Sequence, residues 1–127
     1  MLSASKATSG FAVDDLDRAR DFYEGSLGLS VEILDAENGV TKLKLAGDHE
    51  VLMYHSPNMR PPSYTILNFD VDDIDAAVDG LSERGVSFER YEEFPQDEKG
   101  IVREEGGFQI AWFKDPSGNV LSVLRQP

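Results

Sequence analysis

The fold is decided by a stretch of sequence that occurs twice. Residues 11–21 read FAVDDLDRARD, and residues 69–79 read FDVDDIDAAVD. Seven of the eleven aligned pairs are identical at an offset of 58 residues. A second shared stretch follows, because residues 28–32 read GLSVE and residues 85–89 read GVSFE. The elements around these stretches also come in the same order, so the sequence predicts a duplicated unit.

Each repeat is predicted to contain a strand and then a helix. The strands are expected at 6–13 and 64–71, and aspartates follow both. A short carboxylate at this point accepts hydrogen bonds from the free N–H groups of the first helical turn. Gly28 and Gly85 stand where each helix must end. Apolar residues at helical spacing form one face of each helix: Leu16, Ala19, Phe22, Tyr23 and Leu27, then Ile74, Ala77, Val78 and Leu81.

Three extended segments are expected after each helix. In the first repeat, Asn38-Gly39 is a strong hairpin signal. In the second repeat, residues 115–119 read DPSGN, which predicts a tight turn. The expected strands are 30–35, 40–46 and 50–55 in the first repeat, and 87–91, 101–103 or 108–113, and 119–124 in the second.

The whole chain is predicted to form one α+β domain, residues 1–127, from two tandem modules with the order βαβββ. The first module spans 5–56, the Pro-rich segment 57–63 is the linker, and the second module spans 64–125. An acidic stretch with several glycines, residues 92–107, interrupts the second module. This stretch is either a loop that flanks a functional site or a merely solvated one.

The composition excludes several classes of function. The chain has 127 residues, a formal net charge of −12, no cysteine and two histidines. Without cysteine there is no disulfide framework, no thiolate metal site and no cysteine nucleophile. The acidic balance argues against nucleic acid, whose phosphates demand a basic surface, and against an anionic membrane. No apolar segment has the length of a membrane span or a signal peptide, so we expect a cytoplasmic protein.

Three motifs resemble the vicinal oxygen chelate superfamily, which includes glyoxalases, bleomycin resistance proteins and extradiol dioxygenases. They are 13–23 (VDDLDRARDFY), 27–29 (LGL) and 111–121 (AWFKDPSGNVL). The resemblance implies that the two modules form a curled, half-barrel mixed sheet around a cavity. It also implies that two copies of the chain form a homodimer and that the protein binds a small organic molecule. Because this scaffold carries many chemistries, the resemblance implies a fold more than a reaction.

The resemblance further implies four cavity positions that hold a divalent ion in metal-dependent members. Counting from the motifs assigns these positions to Thr8, Met53, Ile66 and Ser122. None of the four is the imidazole, carboxylate or amide that such an ion needs. We therefore expect no metal and no other cofactor. His55 shares strand parity with Met53, so a slip of two residues would make it a ligand.

Three further side chains are candidates for the cavity, each with a structural alternative. Asn68 either bonds a ligand or satisfies backbone groups. Trp112 either stacks on a planar ligand or packs in the core. His55 either lines the rim as a general base or does nothing. With the four positions above, the candidate ligand-binding residues are Thr8, Met53, His55, Ile66, Asn68, Trp112 and Ser122, and no catalytic residue is identified.

Three functions remain open at this point. The first is a protein that binds a small organic molecule without a metal, for which an acidic rim would favour a cationic ligand. The second is a metal-dependent lyase, isomerase or dioxygenase of the same superfamily with atypical ligands. The third is a partner module whose cavity has filled with side chains.

Overall fold

The computed structural model describes residues 1–127, and their contacts divide the chain into two units, Met1–Met59 and Arg60–Pro127. The first unit contains β1 (Ser9–Val13), α1 (Leu16–Arg20), a π-helical segment (Asp21–Ser26), β2 (Ser30–Asp35), β3 (Val40–Leu45) and β4 (His49–His55). The second contains β5 (Thr65–Asp70), α2 (Ile74–Glu83), β6 (Val102–Arg103), β7 (Gln109–Lys114) and β8 (Val120–Arg125). No helix is long and apolar enough to cross a membrane.

The sheet of the first unit has the strand order β1-β4-β3-β2. β1 runs parallel to β4, and the other neighbours are antiparallel. Alternate residues of the strands point to one face and form a buried core, which includes Phe11, Leu43 and Met53. The Tyr23 ring, fully buried, lies 5.7 Å from the Phe11 ring, so the helical segment covers this face.

The first helix begins as the sequence predicts and then changes its winding. The Asp15 carboxylate accepts a hydrogen bond from the Arg18 N–H at 3.1 Å and caps the first turn. After Arg20 the chain continues as the π-helical segment, in which Leu27 N–H donates to the Phe22 carbonyl. This wider turn carries Tyr23 to the sheet.

The sheet of the second unit repeats the arrangement, with the order β5-β8-β7-β6 and β5 parallel to β8. Asp73 caps α2 by accepting from the Ala76 N–H at 3.1 Å. Ile74 and Val78 are buried on the helix face that packs on β7 and β8. Both repeats therefore use an aspartate cap and an apolar helix stripe to close one face of a sheet.

The predicted α+β fold of two βαβββ modules is confirmed, with one difference in the second. The predicted strand 87–91 forms only an isolated bridge from Phe88 to Phe113 on β7. The two alternatives for the middle strand both occur, as β6 and β7. The edge beside β7 is thus split between residues 88–89 and β6, because the segment between them folds away from the sheet.

The DPSGN stretch forms the turn between β7 and β8. Asp115 is buried, and its Oδ1 accepts hydrogen bonds from the N–H groups of Ser117 and Asn119, both at 2.9 Å. Its Oδ2 accepts from the Asn119 side-chain amide at 2.9 Å. Gly118 adopts a φ of 89°, which favours glycine. This motif therefore stabilises the turn.

Candidate functional site

The candidate site lies on the face of the second sheet that α2 does not cover, which we call the second open face. Leu121 and Val123 of β8 are buried toward the helix, so Ser122 points the other way. Ser122 pairs with Asn68 on β5 and with Trp112 on β7. Strand register thus brings three of the predicted site residues side by side.

Ser122 and Asn68 form a fixed polar pair. The Ser122 hydroxyl is fully buried and lies 2.6 Å from Oδ1 of Asn68, to which it donates a hydrogen bond. Asn68 itself is exposed. Because the oxygen of this amide is directed at Ser122, the NH2 group is left as an oriented donor at the edge of the face.

An aromatic cluster stands beside this pair. The Trp112 ring centroid lies 5.1 Å from that of Phe94 with the planes tilted by 30°, and 5.4 Å from that of Tyr91 in an edge-to-face contact. The ring centroids of Tyr91 and Phe94 lie 6.3 Å apart, in an edge-to-face arrangement. Phe94 keeps 46% of its surface exposed although it is a large apolar residue. Trp112 and Tyr91 are half-buried, so the three rings form a partly exposed aromatic wall, a typical feature of sites for flat organic molecules.

Ion pairs hold the loop that supplies two of these rings. Asp97 accepts hydrogen bonds from the Lys99 and Ile101 N–H groups and from Arg103. Arg103 also reaches Asp75 on α2 at 2.8 Å. Although burial opposes it, these bonds lower the pKa of Asp97, and the hydrogen bond from Arg103 lowers that of Asp75. The ionised carboxylates therefore fasten the loop at neutral pH.

Tyr91 is the titratable group of the aromatic wall. Partial burial, reinforced by the negative charge of Glu89, raises the pKa of the Tyr91 phenol, and Lys114 opposes the shift. The phenol is therefore protonated at physiological pH. It offers a hydrogen-bond donor beside the rings.

The register of β4 corrects one predicted position. Asn68 pairs with Ser122 in the second unit, and the corresponding pair in the first is Gly10 with Leu52. The first-unit counterpart of Ser122 is therefore Leu52 and not Met53. Met53 is fully buried on the helix side. Adjacent residues of a strand point to opposite faces, so an error of one residue in the count assigns the wrong face.

Two other predicted positions lie at irregular points. Thr8 is exposed and precedes β1, because the strand begins at Ser9 rather than at residue 6. Ile66 is half-buried beside a register shift between Thr65 and Leu67, and it has no paired residue on β8.

His55 belongs to the first unit, at the end of β4. It pairs with Val13, whose side chain is in the core, and its Nε2 lies 3.1 Å from the Asp14 carbonyl oxygen. It borders a shallow cleft of about 450 Å3 with Asp15, Asp17 and Glu37 among the other lining residues. No arrangement of three or more histidine, aspartate or glutamate side chains fit to hold a metal ion occurs in the structure.

The four positions that the resemblance implies for a metal, with Leu52 in place of Met53, carry Thr8, Leu52, Ile66 and Ser122. Two of these side chains are hydrocarbons and two are neutral hydroxyls. The Ser122 hydroxyl already donates to Asn68. This donor set does not fit Zn²⁺, Mn²⁺ or Fe²⁺, which require imidazole, carboxylate or water-rich oxygen sites.

Tyr91 and Phe94 are site residues that the sequence did not predict. Tyr91 directly precedes the acidic stretch 92–107, and Phe94 lies near the start of that stretch. A usable signal was present, because 91–95 (YEEFP) places two aromatic rings within a segment that is otherwise charged. Large apolar side chains in such a segment indicate a packed or binding loop.

The fold and the motifs agree with a family match over most of the chain. Residues 7–123 match the Glyoxalase/Bleomycin resistance protein/Dioxygenase superfamily. The protein belongs to this superfamily, and the predicted resemblance is confirmed.

Particular relatives extend the comparison. Protein YraH of Bacillus subtilis (strain 168) is 29% identical over 125 residues, which cover 89% of this chain and 91% of the relative. TnmS3, an antibiotic binding protein from Streptomyces sp. CB03234, is 27% identical with a TM-score of 0.67 and 98% coverage of both chains. The integron cassette protein HFX_CASS4 from the mobile metagenome of Halifax Harbour Sewage Outfall has a TM-score of 0.71. It is 22% identical, covers 95% of this chain and 99% of its own, and shows the fold alone.

Proposed function

We propose that the protein binds a small organic molecule with a flat aromatic part at the second open face. The observation that carries this proposal is the partly exposed aromatic wall of Trp112, Tyr91 and Phe94 beside the polar pair of Ser122 and Asn68. Flat rings stack on the wall, and the Asn68 amide gives an oriented hydrogen bond. The similarity to the antibiotic binding protein TnmS3 supports the same class of ligand.

Binding is proposed to proceed without the metal of the superfamily. The donor set of Thr8, Leu52, Ile66 and Ser122 supports this, because it offers no charged or imidazole ligand. The second function, a metal-dependent lyase, isomerase or dioxygenase, would need ligands from other residues. Titration of the protein with Zn²⁺, Mn²⁺ and Fe²⁺ in a calorimeter tests it, and stoichiometric binding of any of the three would favour the enzyme.

Trp112 is the only tryptophan, so its fluorescence reports on the proposed site directly. Two flat tricyclic probes of matched shape, acridine and the cationic 9-aminoacridine, are titrated at neutral pH. We expect both to quench Trp112 and the cation to bind more tightly, because the chain carries a net charge of −12. Absence of saturable quenching by both probes would overturn the proposal and leave the partner module with a filled cavity.

A matched pair of variants localises the binding. Lys42 pairs with Leu52 as Trp112 pairs with Ser122, so Lys42 is the first-unit counterpart of Trp112. Calorimetry should find 9-aminoacridine binding weakened about tenfold by Trp112→Ala, since loss of stacking costs about 1 kcal/mol or more. Lys42→Ala should bind as the unaltered protein does. Equal losses in the two variants would contradict the assigned face.

The homodimer and the cytoplasmic location stay predictions from the resemblance and the sequence. Light scattering during size-exclusion chromatography tests the first, and a mass of a single 14.1 kDa chain would contradict it. Fractionation of cells that express the chain tests the second.

A further inference from the structure

We propose that Gln96 is a positioning residue that holds the aromatic wall in its binding arrangement. The inference rests on the proposed function and adds to it the group that orders the site. The proposed role of Gln96 does not depend on a contact between its side chain and the rings of the wall. Gln96 acts on the backbone of the loop that carries Tyr91.

The side-chain amide of Gln96 makes three hydrogen bonds to the main chain. Its NH2 group donates to the carbonyls of Glu89 and Gly100, both at 2.8 Å. Its Oε1 accepts from the Tyr91 N–H at 2.6 Å. Both N–H donors and the oxygen of this half-buried amide are thereby engaged, so the side chain pairs with main-chain groups as a peptide group of a strand does.

This amide sits where the edge of the second sheet is split. The Glu89 N–H donates a hydrogen bond to the Trp112 carbonyl at 2.8 Å. Glu89 is the last residue that is hydrogen-bonded to β7 before the loop leaves the sheet. The Glu89 carbonyl accepts a hydrogen bond from the Gln96 amide, which also donates to the carbonyl of Gly100, just before β6 begins. A chain of hydrogen bonds therefore runs from Trp112 across the gap to the other half of the edge.

The consequence for the site follows from Tyr91. The Gln96 oxygen fixes the Tyr91 backbone two residues after Glu89, and the Tyr91 ring stands edge-on to Trp112 at 5.4 Å. Loss of the amide frees the Tyr91 main chain to swing away from Trp112. A wall that must be ordered on binding binds its ligand more weakly than one ordered beforehand.

The loop has a second fastening that does not depend on Gln96. The Arg90 guanidinium donates to the carbonyls of Asp97 and Glu98, and Asp97 N–H donates to the Ile101 carbonyl at 2.9 Å. Removal of the Gln96 amide therefore leaves the far end of the loop attached. A variant at this position should keep the fold and lose the order of the wall.

The test compares Gln96→Ala with Gln109→Ala, a glutamine of β7 in the same sheet. We expect Gln96→Ala to weaken 9-aminoacridine binding by about fivefold to tenfold and to increase quenching of Trp112 by acrylamide. Gln109→Ala should change neither measurement. Circular dichroism of both variants should retain the sheet signal. Unchanged affinity and quenching in a folded Gln96→Ala variant would overturn the inference.

A double-mutant cycle separates positioning from general destabilisation. If Gln96 acts through Tyr91, Tyr91→Ala and the double variant Gln96→Ala/Tyr91→Ala should bind 9-aminoacridine equally. Additive losses would contradict the assigned route. Failure of the unaltered protein to bind either acridine would refute the proposed function instead, and the acrylamide measurement, which needs no ligand, would still decide the role of Gln96.

Discussion

Each unit has its own core, built in the same way, and the two units differ on the faces that their helices leave uncovered. The positions that carry Asn68, Trp112 and Ser122 in the second unit carry Gly10, Lys42 and Leu52 in the first. In the first unit, Lys42 and Lys44 form ion pairs with Glu50 and Glu32 on neighbouring strands. The second presents aromatic rings and a polar pair. The two units are therefore alike on the side that the helix covers and differ in chemistry on the other side.

The edges of the two sheets differ in the same way. In the first unit, β2 pairs with β3 along most of its six residues. In the second, the same edge is divided, and the segment between residues 89 and 102 leaves the sheet and returns. That segment supplies Tyr91 and Phe94, so two of the three rings of the aromatic wall come from the part of the chain that interrupts the edge.

The largest effect is expected for a pair of substitutions on β4. Met53→Glu buries a charge in the core without a partner and should cost about 4 kcal/mol or more, enough to unfold the first unit. Leu52→Glu, on the half-buried opposite face, should cost about 1 kcal/mol or less. Urea unfolding measures both. Equal costs would show that the face assignment on this strand is wrong.

A smaller effect is expected for two turn glycines. Gly39 has a φ of 69°, and a Cβ there would stand 2.8 Å from Cβ of His55. Gly85 has a φ of 88° with no atom within 4 Å of such a Cβ. Thermal unfolding should show a loss of about 2–3 kcal/mol for Gly39→Ala and about 1 kcal/mol for Gly85→Ala. The reverse order would contradict the close packing of the first hairpin.

Acid should release the loop of the second unit. The pKa values of Asp75 and Asp97 are lowered below 3.8 by their hydrogen bonds, so both favour the folded loop when ionised. This stabilisation is present above the ordinary pKa of an aspartate and is lost as pH falls through the lowered pKa values. Trp112 emission should shift in that range.

The control for the acid prediction is Asp97→Asn. This variant removes one of the two carboxylates, so its Trp112 emission at neutral pH should already resemble that of the acidified protein in part. Emission that follows the same acid titration in both proteins would show that Asp97 does not fasten the loop.

The smallest effect is expected for two exposed lysines at equivalent positions, Lys44 and Lys114. Their ammonium groups lie 3.4 Å from Glu32 and 3.2 Å from Glu89, respectively. Exposed pairs of this kind contribute little, so each alanine variant should unfold within about 0.5 kcal/mol of the unaltered protein. A loss well above this value in only one variant would reveal a charge difference between the two faces.

The duplicated stretch was sufficient to predict the fold, because caps, helix stripes and turns are local signals. Asp15 and Asp73 cap helices as expected, and the Asn38-Gly39 turn joins β2 to β3. Predicting 87–91 as a strand was wrong for a nonlocal reason. Gln96 and Arg90 bind main-chain groups of the loop, and such contacts leave no periodic pattern in the sequence.

The candidate site could be predicted only in part. Ser122 was predicted by counting from a motif and Asn68 by its strand parity with Ile66, whereas Trp112 was predicted from its aromatic side chain. The same counting missed Leu52 by one residue, because no motif anchors the end of β4. Tyr91 and Phe94 depend on how the loop folds, and the residues that fold it are spread from Asp75 to Arg103.

The divided edge of the second sheet has a further consequence for association between chains. An unbroken edge strand offers a row of free backbone groups onto which another chain can add a strand. On the β7 side of the second sheet, that row is cut into two short pieces with a folded segment between them. The first sheet keeps a longer edge at β2, which is irregular only between Ile33 and Asp35 and on which Ile33 and Leu34 are exposed. Strand addition, and the aggregation it starts, is therefore expected at β2 rather than beside β7.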